Sequence, residues 1–103
     1  MDCLFCDIVA GRIPSTKQYE DDLVLAFADI HPSAPTHILV IPKEHIVDLS
    51  HTKNSELLGH IQLVAAQIAD EKGVAAGYKI VLNGGKYQDI KHLHYHLLGG
   101  SDL

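Results

Sequence analysis

The chain has 103 residues, of which 47% are hydrophobic and 20% are charged, and a formal net charge of −5. This length allows one domain over residues 1–103, and the negative charge argues against a nucleic-acid-binding module, which needs a basic surface. The longest apolar run, residues 23–28, is too short to span a membrane. The N-terminal residues lack the basic and apolar regions of a signal peptide. We therefore expect a cytoplasmic protein with no membrane partner.

Three segments in the first half of the chain are predicted to be regular. They are a short N-terminal helix and two strands, at residues 7–11, 23–28 and 37–41. Gly11 is placed to end the helix, while Pro32 and Pro35 break the chain between the two strands. The second strand is β-branched and apolar, and Pro42 ends it.

The second half begins with a change to helical periodicity. The apolar positions over residues 54–72 repeat at intervals of four, three and four, at Leu57, Ile61, Val64 and Ile68. They form one face of a long helix, which Gly73 is placed to end. Two further strands are predicted over 78–82 and 92–98, separated by a loop that opens at Asn83. We therefore predict an α+β domain in which a long helix packs on an antiparallel sheet.

The last predicted strand carries three histidines in strict alternation, His92, His94 and His96. Because successive side chains of a strand point to opposite faces, we expect the imidazoles on one face at intervals of about 6.6 Å. Three neighbouring imidazoles cannot all be charged cheaply in a half-buried strand. At least His94 should then be neutral and able to act as a nucleophile or base near pH 7. A surface row of histidines, or a set of metal ligands, is the alternative interpretation.

Two blocks of the sequence resemble the hallmarks of the histidine triad (HIT) family. Residues 92–98, HLHYHLL, resemble the motif His-φ-His-φ-His-φ-φ, in which φ is hydrophobic. Residues 29–46, DIHPSAPTHILVIPKEHI, are similar to the second hallmark of the Hint-like branch, the histidine triad nucleotide-binding proteins. Shorter blocks at 5–8, 13–15 and 19–22 also match, so the resemblance covers essentially the whole chain.

This resemblance implies a fold, an assembly and an activity. It implies a five-stranded antiparallel sheet with a long helix, and a homodimer in which two sheets join. The second side of the predicted helix is also apolar, at Leu58, Leu63, Ala65 and Ala69. The implied activity is hydrolysis of purine nucleoside phosphoramidates, with no cofactor required for catalysis. A nucleotide-binding regulatory protein with weak or no turnover, and a dinucleoside polyphosphate hydrolase, are the alternatives.

The resemblance also implies roles for four histidines. His94 would be the nucleophile that becomes nucleotidylated, and His92 would lie beside the leaving group as a proton donor. His96 and His37 would orient the nucleophile and hold phosphate oxygens. The chemistry is coherent, because a neutral imidazole attacks phosphorus without first losing a proton and an amine leaving group needs one.

The nucleotide-binding residues are implied in the same way. Asp29 would accept hydrogen bonds from the ribose hydroxyls, with Ile30 packing on the sugar or base. Asn83 and Gln88 would reach the phosphate, next to Asp89. The base pocket would be walled by apolar side chains, Leu4, Phe5, Ile8 and Phe27. Each has a plainer interpretation: a turn-forming residue for Asp29 and Asn83, and ordinary core for the apolar wall.

The loop before the histidine motif departs from the family pattern. Lys86 and Tyr87 occupy places where the family usually has glycines, and the loop over residues 83–92 is short. Asp89 stands where many relatives have Ser or Thr. A carboxylate there would repel a phosphate unless it is hydrogen-bonded. These departures bear on substrate preference and turnover more than on the fold.

A cysteine pair competes for one of the histidines. In a reducing compartment the spacing of Cys3 and Cys6 favours metal binding or free thiols over a disulfide. With two distant histidines it makes the ligand set of tetrahedral zinc, and the resemblance implies His45 and His92 as those histidines. His92 would then be a structural anchor rather than a proton donor. Two small buried thiols, or a metal-buffering protein suggested by eight histidines, are the alternatives.

Overall fold

The computed structural model describes residues 3–100. Its helices are α1 (Leu4–Val9) and α2 (Ser55–Glu71). Its strands are β1 (Lys17–Glu20), β2 (Val24–Ala28), β3 (Thr36–Pro42), β4 (Tyr78–Leu82) and β5 (Tyr95–Gly99). Two short 3-10 turns lie at Leu49–His51 and Gly85–Tyr87. Within these residues no helix has both the length and the apolarity that a membrane crossing requires.

The five strands form one antiparallel sheet in the order β1-β2-β3-β5-β4. Its central strands are buried on both faces, because α2 covers one face and α1 the other. In β2, for example, Val24 and Ala26 pack in the cluster on the α2 side, whereas Leu25 and Phe27 pack in the cluster on the α1 side. This confirms the predicted α+β fold with a long helix on the sheet.

Helix α2 has the periodicity that the sequence predicts, and its two termini lie where the sequence predicts them. The Asn54 side chain accepts a hydrogen bond from the backbone N–H of Leu57 at 3.1 Å, which satisfies one of the free donors of the first turn. Gly73 follows the helix at φ +75°, the left-handed conformation that favours glycine. On the second side, Ala65 and Ala69 are buried in the core, so the outer apolar surface is smaller than the sequence suggested.

Two predicted elements have wrong boundaries. Helix α1 ends at Val9 rather than Gly11, and it begins earlier because the Cys3 sulfur accepts a hydrogen bond from the backbone N–H of Cys6 at 3.3 Å. Strand β5 begins at Tyr95, so His92 and His94 precede it in extended chain. There the backbone N–H of Leu93 donates to the Ile46 carbonyl, at 2.7 Å, outside the regular ladder with β3.

Candidate active site and metal centre

A cavity of about 370 Å³ opens on the α1 side of the sheet. Its apolar wall includes the four predicted residues Leu4, Phe5, Ile8 and Phe27. Its polar residues include Asp29, Asp89, His94 and His96, and Ile30 lies at its rim, 84% exposed. The cavity therefore joins an apolar slot to two histidines of the motif. A second depression, near Lys43 and Asn54, holds none of the predicted catalytic residues.

His94 is held by the backbone rather than by a neighbouring imidazole. Its Nδ1 lies 2.7 Å from the carbonyl oxygen of His92, so Nδ1 carries the proton and donates it. The ring is 2% exposed and stands edge-on to Phe5, with ring centroids 5.1 Å apart. The other nitrogen, Nε2, lies 3.5 Å from Oδ1 of Asp89. Nε2 therefore carries the lone pair, which is what a nucleophile needs.

His37 and His96 form a chain of hydrogen bonds with a defined direction. The backbone N–H of Ser33 donates to Nδ1 of His37 at 3.0 Å, so the neutral His37 ring carries its proton on Nε2. That atom donates to Nδ1 of His96 at 2.9 Å, and Oδ2 of Asp29 lies 3.4 Å from it. The proton of His96 is then on Nε2, which is buried and has no partner among the described residues.

The unpaired Nε2–H of His96 indicates a ligand with an acceptor oxygen. A buried donor without a partner is costly, so native structures seldom keep one without a reason. The ring centroids of His94 and His96 are 4.9 Å apart and both residues line the same cavity, so one ligand can contact both rings. Burial, and then the neighbouring His94 and His37, lower the pKa of His96. His96 is therefore a neutral donor at pH 7.

His92 points away from the cavity and into a cysteine and histidine cluster. Its Nε2 donates to the Pro42 carbonyl at 2.8 Å, and its Nδ1 lies 3.4 Å from the sulfur of Cys3 and 3.6 Å from that of Cys6. Nδ1 of His45 lies 3.3 Å from the Cys6 sulfur. The three motif histidines therefore do not form the single row that the sequence predicts, because the chain is not yet a strand at His92.

These four side chains fit a tetrahedral metal ion. Their ligand atoms all lie within 4.8 Å of one another, and zinc bonds of about 2.3 Å to sulfur and 2.0–2.1 Å to nitrogen place tetrahedral S and N ligands about 3.5 Å apart. The Pro42 carbonyl fixes the His92 tautomer with Nδ1 free for a metal. Burial and the hydrogen bond with Cys3 raise the pKa of the Cys6 thiol to about 11, so metal binding would have to displace that proton.

The remaining predicted binding residues lie in different surroundings. Asp29 accepts a hydrogen bond from the backbone N–H of His31 at 2.9 Å, as a turn-forming residue does. It also lines the cavity, and its contact with a ribose stays a prediction. Gln88 is buried, and its Nε2 donates to the Val47 carbonyl at 2.7 Å. Neither Gln88 nor Asn83 lines the cavity, so their contact with a phosphate stays a prediction.

Seven further residues line the cavity without having been predicted to do so: Ile13, Pro14, Ser15, Ala28, His31, Leu39 and Ile90. Residues 13–15 belong to a block that matched the family, and this was a usable signal. Successive side chains of β3 point to opposite faces of the sheet, so the strand period indicates which face Leu39 occupies. The other positions depend on how loops meet, which local sequence patterns do not reveal.

The fold and the site together define a histidine triad protein. The family model of the HIT domain matches residues 10–103, and the chain belongs to this family. It is 46% identical to an uncharacterized HIT-like protein of Synechococcus elongatus, over 99% of this chain and 93% of that protein. It is 43% identical to a 14 kDa zinc-binding protein of Zea mays, over 97% of this chain and 83% of that one.

Two solved structures have nearly the same fold. A histidine triad protein from Clostridium difficile superposes with a TM-score of 0.95 at 49% identity, and the match covers 100% of this chain and 94% of that one. A HIT family hydrolase from Legionella pneumophila also gives a TM-score of 0.95, at 44% identity, over 98% of this chain and 95% of that one. The arrangement described above is therefore that of a HIT fold.

Proposed function

We propose that this protein is a nucleotide-binding hydrolase that cleaves the P–N bond of purine nucleoside phosphoramidates through a nucleotidyl intermediate on His94. The observation that carries the proposal is the buried Nε2–H of His96, which has no partner among the described residues and belongs to a ring that lines the same cavity as His94. A phosphate oxygen bound to that donor would bring the phosphorus to the nucleophile. The hydrolase named among the structural relatives supports the same reaction type.

The nucleoside part of the substrate fits the other end of the cavity. The purine would lie between apolar side chains such as Phe5, Ile8 and Phe27. Asp29 would accept hydrogen bonds from the ribose hydroxyls, because it lines the same cavity. These contacts hold the substrate independently of His94, so binding and turnover are separable.

The reaction would proceed in two balanced steps. In the first, Nε2 of His94 forms a bond to phosphorus while the P–N bond of the substrate breaks, and the leaving amine takes up a proton. Because the ring nitrogens of His92 are engaged by Pro42 and the cysteines, we assign solvent water, rather than His92, as the source of that proton. In the second step, the oxygen of a water molecule bonds to phosphorus while the bond between phosphorus and Nε2 of His94 breaks. The proton of that water passes to solvent, and the monophosphate leaves.

We also propose one structural zinc ion, held by Cys3, Cys6, His45 and His92. Zinc would cross-link the N-terminal helix to two distant segments of the chain. It would take no part in the reaction. The relative from Zea mays that is named as a zinc-binding protein supports this assignment. No cofactor would be needed for catalysis itself.

A homodimer in the cytoplasm completes the proposal. Strand β4 lies at an edge of the sheet, and Tyr78 and Ile80 on it are 40% and 38% exposed. Leu63 on α2 is 72% exposed. A free edge with apolar side chains is a liability unless it is covered, and joining two sheets by a two-fold axis would cover it.

The test is the kinetics of His94→Asn on adenosine 5′-phosphoramidate. Losing the covalent route should lower kcat by several orders of magnitude, or about 7 kcal/mol in the barrier, whereas the Kd for AMP should change little. His51→Asn is a matched control, since His51 is an exposed histidine away from the cavity. Nucleotide binding without turnover by the wild type would favour the regulatory alternative instead.

A further inference from the structure

Asp89 is the only carboxylate that lies against the candidate nucleophile in the described chain. Its side chain is 83% exposed, and its Oδ1 is 3.5 Å from Nε2 of His94. The same oxygen accepts a hydrogen bond from the backbone N–H of Ile90 at 2.9 Å. The carboxylate is therefore held at the mouth of the cavity, close to where the phosphorus must arrive.

The loop that carries Asp89 is anchored by hydrogen bonds, which fix the position of the carboxylate. The Lys91 ammonium donates to the carbonyls of Gly85 and Gln88, at 2.8 and 3.2 Å. The Gln88 side chain donates to the Val47 carbonyl. Lys91 is thus engaged by the backbone, and in the described chain no Lys or Arg forms an ion pair with Asp89.

The charges around the cavity are unusual for a phosphate site. Its described lining contains two carboxylates, Asp29 and Asp89, and no Lys or Arg. Asp29 is hydrogen-bonded to the His31 backbone, and its Oδ2 lies 3.4 Å from Nε2 of His37. Asp89 accepts a hydrogen bond from the Ile90 backbone and lies against the His94 ring. Of the two carboxylates it is the one next to the candidate nucleophile, so its charge acts on a phosphate bound there.

Substrate and product differ in the charge that they bring to this carboxylate. A nucleoside phosphoramidate, substituted on phosphorus by the amine, carries one negative charge. A monophosphate carries about 1.5 to 2 negative charges at neutral pH. Repulsion between unit charges about 5 Å apart at a protein surface is large enough to change an equilibrium constant about tenfold.

We propose that Asp89 is a specificity-determining residue that distinguishes singly charged phosphoramidates from the doubly charged monophosphate. It admits the substrate, weakens retention of the product and so limits product inhibition. The inference rests on the proposed function and deepens it. The preferred substrates are then those whose phosphorus group carries a single negative charge. The carboxylate beside the phosphate site would select against ligands with a second charge.

Calorimetric titration at pH 7.5 tests the inference with two ligands that differ by one negative charge and one methyl group. The doubly charged ligand is AMP or GMP, whichever binds the wild type more tightly, and the singly charged ligand is its methyl ester, which has a poor leaving group. The variants are Asp89→Asn and the control Asp70→Asn, which removes a charge from an exposed site on α2. Asp89→Asn should tighten binding of the doubly charged monophosphate about tenfold, which is about 1.4 kcal/mol. It should tighten binding of the singly charged ester only about threefold, because the Coulomb energy is proportional to the charge of the ligand.

The outcomes separate this inference from the proposed function. An unchanged ratio of the two affinities in Asp89→Asn would overturn the inference and leave the proposed function standing. The same gain in affinity for the monophosphate in Asp70→Asn would also overturn it, because removal of any negative charge from the protein would then have this effect. Failure of the wild type and both variants to bind either ligand would overturn the proposed function, and the inference with it.

Discussion

The Nδ1 atom of His94 lies 2.7 Å from the backbone carbonyl oxygen of His92. The candidate nucleophile is therefore oriented by the main chain of the same residue whose side chain lies among the candidate metal ligands. This hydrogen bond fixes the tautomer of His94, with its lone pair on Nε2. Because a carbonyl cannot change its protonation state, the tautomer does not depend on a neighbouring imidazole.

Metal binding at the cysteine cluster should stabilise the protein. Zinc at a hundred times its Kd adds about 2.7 kcal/mol to the free energy of unfolding, and a domain of this size gains about 4–8 °C in Tm per kcal/mol. We expect purified protein to carry close to one zinc per chain, and a chelator to lower its Tm. Elemental analysis and thermal unfolding measure these two quantities.

The control for this prediction is Cys3→Ser, in the presence and absence of the chelator. The variant lacks a ligand, so its Tm should already be low and should not respond to chelation. An equal response of wild type and variant would mean that the chelator acts elsewhere. Wild-type protein that contains no zinc after purification without chelators would contradict the proposed zinc site.

A lysine at the free sheet edge should dissociate the proposed dimer. Ile80 is 38% exposed on β4, and a charged side chain on an edge strand blocks pairing with another copy. We expect sedimentation at micromolar concentration to show a dimer for the wild type and a monomer for Ile80→Lys. Leu23→Lys, at a residue that is 57% exposed away from β4, should remain dimeric. A monomeric wild type would count against the dimer.

Acidification should destabilise the protein partly through His96. Burial, and then the positive charges that His94 and His37 can carry, lower the pKa of His96, and the carboxylates of Asp29 and Asp89 do not reverse this. As pH falls below about 6.5, the ordinary value for histidine, the unfolded state takes up a proton that the folded state resists. The free energy of unfolding must then fall with pH.

Urea unfolding at pH 7.5 and 5.5 measures this effect in wild type and in His96→Asn. Asparagine does not titrate, so the variant should lose less stability between the two pH values. The difference between the proteins isolates His96 from the other histidines. A variant that loses as much stability as the wild type would show that His96 is not the group responsible.

A methyl group at Gly99 should destabilise the fold. A Cβ built there would lie 2.9 Å from Cγ2 of Val74 and 3.0 Å from its Cβ, and Gly99 is buried in β5. Overpacking of this kind costs about 1–3 kcal/mol. Thermal unfolding of Gly99→Ala should therefore show a lower Tm.

Gly59→Ala is the matched control for that substitution. Gly59 lies within α2, and a Cβ there meets no heavy atom within 4 Å. Replacing a helical glycine by alanine should stabilise by about 0.5–1 kcal/mol. The same chemical change should thus have opposite signs at the two positions. A Gly99→Ala protein as stable as the wild type would contradict the packing described here.

Periodicity and glycine positions were enough to predict α2 and its packing on the sheet, because these depend on neighbours along the chain. The direction of His92 was not predictable in this way. Strict alternation in the sequence places it in a row with His94, but the hydrogen bond of its Nε2 to Pro42 and its proximity to Cys3 turn it into a separate cluster. Those contacts join residues distant in sequence, which a local pattern cannot register.

The active site shows the same division. The family motif indicated His94, His96 and His37, but not the backbone N–H of Ser33 that sets the direction of the hydrogen-bond chain. That direction follows from how the turn before β3 folds back on the His37 ring. It determines which nitrogen of His96 is left as a donor, and so what the site can bind.

The most direct test of the central claim is mass spectrometry of the protein after brief exposure to adenosine 5′-phosphoramidate. Nucleophilic catalysis by His94 predicts a covalent adenylyl group on the peptide that contains His94. His94→Asn should lack the adduct, while the control His51→Asn should form it as the wild type does. Turnover by the wild type with no adduct at early times, or an adduct that persists in His94→Asn, would contradict nucleophilic catalysis by His94.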